Sequence, residues 1–182
     1  MISLILTAVY LTFPLMIAGI LHMIVVKTNV LPALTKPIHV RLFGANKTWR
    51  GLLIMPFFGV IGVYTTLAIY PWQDLLSVRI PSEFPFPVVL GLSLGFAYVL
   101  FELPNSFLKR RMGVQPGAPA TRYKSVFFML DHLDSALGCC FVYSFVLSVP
   151  VLTILITLAI APTIHVVVNL VLWAIGVRKA KF

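Results

Sequence analysis

Acidic residues are scarce in this chain: five of 182, against fourteen lysines and arginines, for a formal net charge of +9. Charged residues of either sign make up 10% of the chain, where a water-soluble domain carries roughly a quarter. A hydrophobic share of 60% and a mean hydropathy of +1.01 complete the exclusion, and the solvent of this protein is lipid. Cysteine is scarce too. Cys139 and Cys140 are neighbours in an apolar run, pointing about 100° apart on a helix, so neither a disulfide framework nor a cysteine zinc site is available. The Walker pattern GxxxxGK[ST] is missing as well, which excludes a P-loop. The N-terminal stretch "MISLILTAVYLTFPLMIAGILHMIVV" has no basic n-region and is too long for a signal-peptide h-region, so it reads as a helix that stays.

Long apolar runs are what the sequence has instead. A hydrocarbon core about 30 Å thick needs about 20 apolar helical residues, because no backbone amide can be left unpaired in lipid. Five segments qualify, at 2–26, 52–70, 87–104, 127–148 and 151–176, with Pro150 separating the last two. The expectation is an all-α integral membrane protein, one domain over 1–182 with five transmembrane helices. Between the spans, cations alternate. Lys27, Lys36, Arg41, Lys47 and Arg50 lie in the first loop, Arg79 alone in the second, and Lys109, Arg110, Arg111, Arg122 and Lys124 in the third. The fourth loop has none and the tail has Arg178, Lys179 and Lys181. The positive-inside rule then puts loops 27–51 and 105–126 and the C-terminus in the cytoplasm and the N-terminus outside, in a plasma or inner cell membrane. Orientation bias and attraction to anionic headgroups are sufficient to explain these cations by themselves.

The carboxylates add a second consideration. Asp74 and Glu83 fall in the outer loop as ordinary solvated charges. Glu102, Asp131 and Asp134 sit at the cytoplasmic ends of apolar spans, where an ionised group is costly unless paired. Asp131 and Asp134 in "FFMLDHLDSALG" are three apart, so both project from one helix face about one turn apart. Two readings stand for the pair: interfacial aspartates bridged to Arg122 or Lys124, or a hard-oxygen site for a divalent ion such as Mg2+ completed by water and phosphate. His132 between them points elsewhere, and His22, His39 and His165 show no metal spacing.

Two polar motifs face the same side. In "FGANKTWRG" (43–51) the small Gly44, Ala45 and Gly51 let backbone amides approach a ligand, Lys47 and Arg50 supply charge, and Asn46 and Thr48 supply neutral hydrogen bonds. That is phosphate-binding chemistry, while Trp49 reads as a membrane anchor. In "FELPNSFLKRRMGVQPG" (101–117), Glu102, Asn105, Ser106 and Lys109 share one stripe if the helix runs through Pro104, and Pro116-Gly117 stops it. Cations and acids converge on one face, and a polyphosphate with magnesium is a ligand that needs both signs of charge. The glycines at 59, 62, 91 and 95 read as close helix-packing sites ahead of gaps that admit lipid tails.

"FGANKTWRG", "FELPNSFLKRRMGVQPG" and "LDHLDSALG", in that order and separated by apolar spans, resemble the CDP-archaeol synthase family, five-span membrane cytidylyltransferases distantly related to the CDP-diacylglycerol synthases. With those larger relatives the shared fragment is a serine, a Lys-Arg pair, a Pro-Gly step and Asp-x-x-Asp; "APATRY" stands where they carry His-Gly-Gly. The resemblance implies Mg2+-dependent reaction of CTP with a membrane lipid phosphate, an archaetidic-acid-like diether glycerol phosphate, giving a CDP-lipid and pyrophosphate. It also implies roles for residues. Asp131 and Asp134, with Glu102, would bind magnesium; Lys109, Arg110 and Arg111 would neutralise the triphosphate; Asn46, Lys47, Thr48, Arg50, Asn105, Ser106 and Gly117 would hold nucleotide or phosphate. CTP, the lipid phosphate and the bilayer are the expected partners, with no nucleic acid. Phosphatidic acid or another lipid phosphate in a bacterium is the alternative acceptor, and a small ion transporter the alternative from another class.

Overall fold

The apolar runs form helices, as chains in lipid must when their backbone groups have no water to pair with. In a computed structural model that describes residues 1–70, 73–118, 120 and 123–178, the helices are α1 (Ile2–Thr28), the four-residue α2 (Val40–Phe43), α3 (Trp49–Ile69), α4 (Phe86–Arg111), α5 (Lys124–Val146) and α6 (Val151–Ala174). All but α2 are long and apolar enough to cross a membrane. Two single turns of 3-10 helix, Pro32–Thr35 and Gln73–Leu75, interrupt the loops. No strand occurs among the described residues, only an isolated bridge between Pro37 and Thr48. Arg122, Lys179 and Lys181, three of the cations counted above, lie outside the described residues.

Helix boundaries differ from the expected spans where local capping overrides hydropathy. The Thr48 hydroxyl accepts the Gly51 N–H at 3.5 Å, so α3 starts at Trp49, and Trp49, Arg50 and Gly51 belong to its first turn, not to the loop. Helix α4 does not end near Pro104 but runs on to Arg111, and it closes at Met112 and Gly113 (φ 73) well before Pro116-Gly117. One lost backbone bond at Pro104 is tolerated, and the extra two turns carry the polar stripe past the end of the apolar run.

Packing is closest where glycines face each other. A Cβ on Gly59, Gly91 or Gly95 would run into the backbone of the opposite helix, so α3 and α4 pack with their main chains in contact. Gly62 meets α1 at Pro14 in the same way. These glycines are packing sites. The core adds Tyr10, Leu11, Val63, Leu90, Leu94 and Tyr143, and the Tyr143 hydroxyl donates to the Leu11 carbonyl at 2.9 Å, tying α5 to α1. Helix α5 packs between α4 and α6, and α6 also touches α1. The result is a bundle in which α3 braces α4 from one side while α1, α4, α5 and α6 surround a cavity on the other.

Candidate functional site

That cavity has a volume of about 940 Å³. Its mouth is built by two loops: Phe43, Asn46 and Lys47 before α3, and Pro116 and Gly117 after α4. The loops meet, since a Cβ on Gly117 (φ 78) would lie 3.3 Å from Asn46 Nδ2. Below them the expected stripe of α4 is realised: Glu102, Asn105, Ser106 and Lys109 all line the wall. Helical spacing put these four side chains on one face, and the continuity of α4 through Pro104 made that face single.

Across from the stripe, α5 presents Asp131 and Asp134. The Asn105 amide donates to both, at 2.8 Å to Asp131 Oδ1 and 2.9 Å to Asp134 Oδ2. Lys109 Nζ reaches both oxygens of Asp131 at 2.5 Å. Asp134 is buried and its other oxygen accepts the Ser135 N–H at 2.7 Å. Interfacial bridging to Lys124 is therefore not what holds the pair; α4 supplies the partners, and Arg122 lies outside the described residues. Glu102 is ion-paired to Lys47. Burial works to lower the Lys47 pKa, but the charge and hydrogen bond of Glu102, with Asp134 and Asp131 behind it, raise it above its ordinary value. Lys47 is a fixed cation at the rim.

Arg110 is different. Its guanidinium lies against Gly44, the absence of a side chain there leaving room for it, and its Nε and Nη1 are buried with no hydrogen-bond partner among the described residues. Unpaired buried donors are costly, and an anion brought into the cavity would satisfy them.

Three residues expected at the site are engaged elsewhere. Thr48 caps α3. Arg50 is buried beneath the loop, donating from Nη1 to Asn29 Oδ1 at 3.3 Å and the Val30 carbonyl at 3.1 Å. Arg111 turns outward, donating to the Arg41 carbonyl at 2.7 Å and lying over the Phe107 ring. None of the three lines the cavity. Conversely, Tyr98, His22, His165, Asn169 and Arg178 do line it and were passed over in the sequence. A single Asn within the apolar α6 was the available signal for the α6 wall.

The donor set suits a hard cation. Asp131 and Asp134 offer carboxylate oxygens, and Asn105 Oδ1 beside them is buried with no partner. No cluster of three or more His, Cys, Asp or Glu forms among the described residues. Glu102 is paired with Lys47 as Asp131 is with Lys109.

Fold and cavity together describe a multi-pass helical membrane protein with acids and unpaired cations gathered at one end of the bundle. The family model described as CarS-like, CDP-archaeol synthase, matches residues 1–182, and the chain belongs to that family. Among its curated relatives, CDP-archaeol synthase from Pyrococcus furiosus is 35% identical over 126 residues, 69% of this chain and 66% of that protein. CDP-archaeol synthase from Halobacterium salinarum is 34% identical over 145 residues, 76% of this chain and 75% of that protein. The chain thus spans about two thirds to three quarters of these relatives. No solved structure matches it. Membership implies a CTP-dependent cytidylyltransferase acting on a lipid phosphate.

Proposed function

We propose that the protein transfers the cytidylyl group of CTP to the phosphate of a diether glycerol lipid, an archaetidic-acid-like acceptor, with release of pyrophosphate. A lipid phosphate oxygen attacks the α-phosphorus of CTP, and the bond from that phosphorus to the bridging oxygen of the β,γ-diphosphate breaks. The attacking oxygen is already ionised near neutral pH, so no protein nucleophile is needed. Catalysis is alignment and charge compensation. The observation that carries this reading is the convergence of Asp131, Asp134, Asn105 and Lys109, from two helices, in a cavity whose mouth holds the unpaired Arg110.

Each group has work in that reaction. Asp131 and Asp134, with Asn105 Oδ1, would hold Mg2+, which when bound neutralises phosphate oxygens. Arg110 and Lys109 offset the charge of the triphosphate and the departing diphosphate, and Lys47 keeps the rim positive. Asn46, Ser106 and Gly117 border the nucleotide where the two loops meet. Thr48, Arg50 and Arg111 hold the loop frame in place. The cation count supports a cytoplasmic position for this end of the bundle, where CTP is, with the N-terminus outside. What supports the diether acceptor over phosphatidic acid is that the relatives are CDP-archaeol synthases.

Purified protein in detergent, given labelled CTP, Mg2+ and a panel of diether and diacyl glycerol phosphates, should produce a labelled lipid, fastest with the diether. Asp134→Asn should abolish the product while leaving the thermal unfolding profile intact. Full turnover by that variant would overturn the assignment of the acid pair.

A further inference from the structure

The cavity holds a second unpaired guanidinium. Arg178, just beyond α6, lines the wall, and its Nη1 is buried with no hydrogen-bond partner among the described residues. Its position is set by backbone geometry. Gly176 (φ 72) turns the chain back on α6 in a Schellman arrangement: its N–H donates to the Trp173 carbonyl at 2.9 Å and that of Val177 to Leu172 at 2.8 Å, and the Arg178 N–H follows to Leu172 at 3.0 Å. Burial pulls the Arg178 guanidinium below its usual value, against the opposing charge of Asp131, which places it within electrostatic reach of that carboxylate.

We infer that Arg178, with Asn169 and His165 further along the same α6 wall, forms the seat for the phosphate of the lipid acceptor, separate from the nucleotide phosphates at Arg110. The inference rests on the cytidylyl-transfer reading. An in-line displacement needs two anions on either side of one centre, and the cavity has two unpaired guanidiniums, one reached from α4 and the other from α6, with α5 and its acids packed between those helices. What lies beneath each cation assigns them. Arg110 is rimmed by the polar loops at the mouth. The wall that leads away from Arg178 is mixed on α6, where Ile164, Val168 and Leu172 alternate with His165 and Asn169, and becomes mainly apolar across from it on α1, with Leu15, Met16 and Met23. That strip continues toward the middle of the bundle, to Thr12 and Ala161. Helix α6 is also the span least covered by the others, with 17% of its most apolar window buried against 50% for α5, so only one helix thickness stands between this wall of the cavity and the outside of the bundle. A phosphate held at Arg178 can leave its tails in hydrocarbon.

The test uses the full chain in detergent micelles with Arg178→Gln, Arg178→Lys and Arg110→Gln. Two readouts are taken: KM for the diether glycerol phosphate at saturating CTP, and Kd for labelled CTP without acceptor. Arg178→Gln should raise the lipid KM about tenfold or more and leave the CTP Kd within about twofold, Arg178→Lys should recover part of the loss, and Arg110→Gln should do the reverse. A CTP Kd raised by Arg178→Gln with lipid KM unchanged would put nucleotide phosphate in the seat and overturn the inference. Unchanged values for both would reduce Arg178 to a helix-end residue, which also overturns it. A third readout does not depend on turnover: the rise in Tm on adding the lipid phosphate, with the same lipid lacking its phosphate as control. The wild type should be stabilised by the phosphate form alone and Arg178→Gln by neither. If the wild type made no labelled lipid yet kept that difference, the cytidylyl-transfer reading would fail and the phosphate seat would stand; if the two lipids stabilised both proteins alike, the seat would fail.

Discussion

Lys47 and Glu102, 55 residues apart, form an ion pair that fastens the loop before α3 to the cavity wall of α4. Both side chains are about one-fifth exposed, at 23% and 22%, so the pair lies between the surface and buried limits. Glu102→Gln removes the charge and leaves a half-buried ammonium, at a cost of about 2 kcal/mol, or a Tm lower by about 4 to 8 °C for a chain of this size. The sign with pH follows from Lys47. Its folded pKa is raised above the ordinary 10.5, so the stabilisation is fully present below 10.5 and is lost as pH rises through the higher folded value. Melting curves in detergent should therefore show the widest gap between wild type and variant near neutral pH, narrowing as alkali deprotonates Lys47, which burial makes easier once Glu102 carries no charge. Equal melting temperatures at neutral pH would mean Lys47 is not held as described.

Asn105 separates two carboxylates that would otherwise repel, donating one amide hydrogen to each. Asn105→Asp keeps the size, removes both donors and adds a third negative charge. Turnover should fall by about 100-fold or more, in line with losing a charge-organising hydrogen-bond donor from a site shielded from water. Asn105→Ala, which only removes donors, should lose less. Equal activity for Asn105→Asp and wild type would rule out the bridging role.

How much of this was legible beforehand varied with the kind of signal. The five spans came from hydropathy, which reports lipid contact directly, and the α4 stripe came from helical spacing once Pro104 was allowed inside a helix. Asp131 and Asp134 announced themselves because acids are rare in an apolar chain. Where Arg50 and Arg111 are engaged was not legible, because a basic residue in a loop has the same sequence signature whether it faces a ligand or pins the chain; the structure has them donating to the carbonyls of Val30 and Arg41. Arg178 was counted as a tail charge because the turn that aims it inward depends on the conformation of Gly176.

Two glycines test backbone contact against backbone conformation. Alanine at Gly95 would drive its Cβ into the main chain at Met55 and Pro56, so α3 and α4 must separate, at a cost of about 3 kcal/mol from overpacking alone. Alanine at Gly113 meets nothing within 4 Å and pays only for its φ of 73°, about 1 kcal/mol. In detergent, Gly95→Ala should unfold at markedly lower temperature than Gly113→Ala. The reverse order would show that the α3–α4 contact is looser than described.

Arg50 and Arg110 are both largely buried arginines at the same end of the bundle, yet their surroundings predict opposite phenotypes. Arg50 spends its guanidinium on Asn29 and Val30, where α1 ends in a left-handed residue, and it does not line the cavity. Arg50→Ala removes those hydrogen bonds and the packing of a buried side chain, and should lower stability by about 1 to 2 kcal/mol, with the KM for CTP changing by less than about threefold in the protein that remains folded. Arg110 has two unpaired nitrogens facing the cavity. Arg110→Gln removes a buried, unpaired charge, so its Tm should hold steady or rise while the KM for CTP climbs by about tenfold or more. Measuring Tm and KM for both variants separates a residue that holds the chain from one that waits for an anion; a large KM effect at Arg50 with no loss of stability would mean that its contacts to α1 are incidental and that it reaches the nucleotide after all.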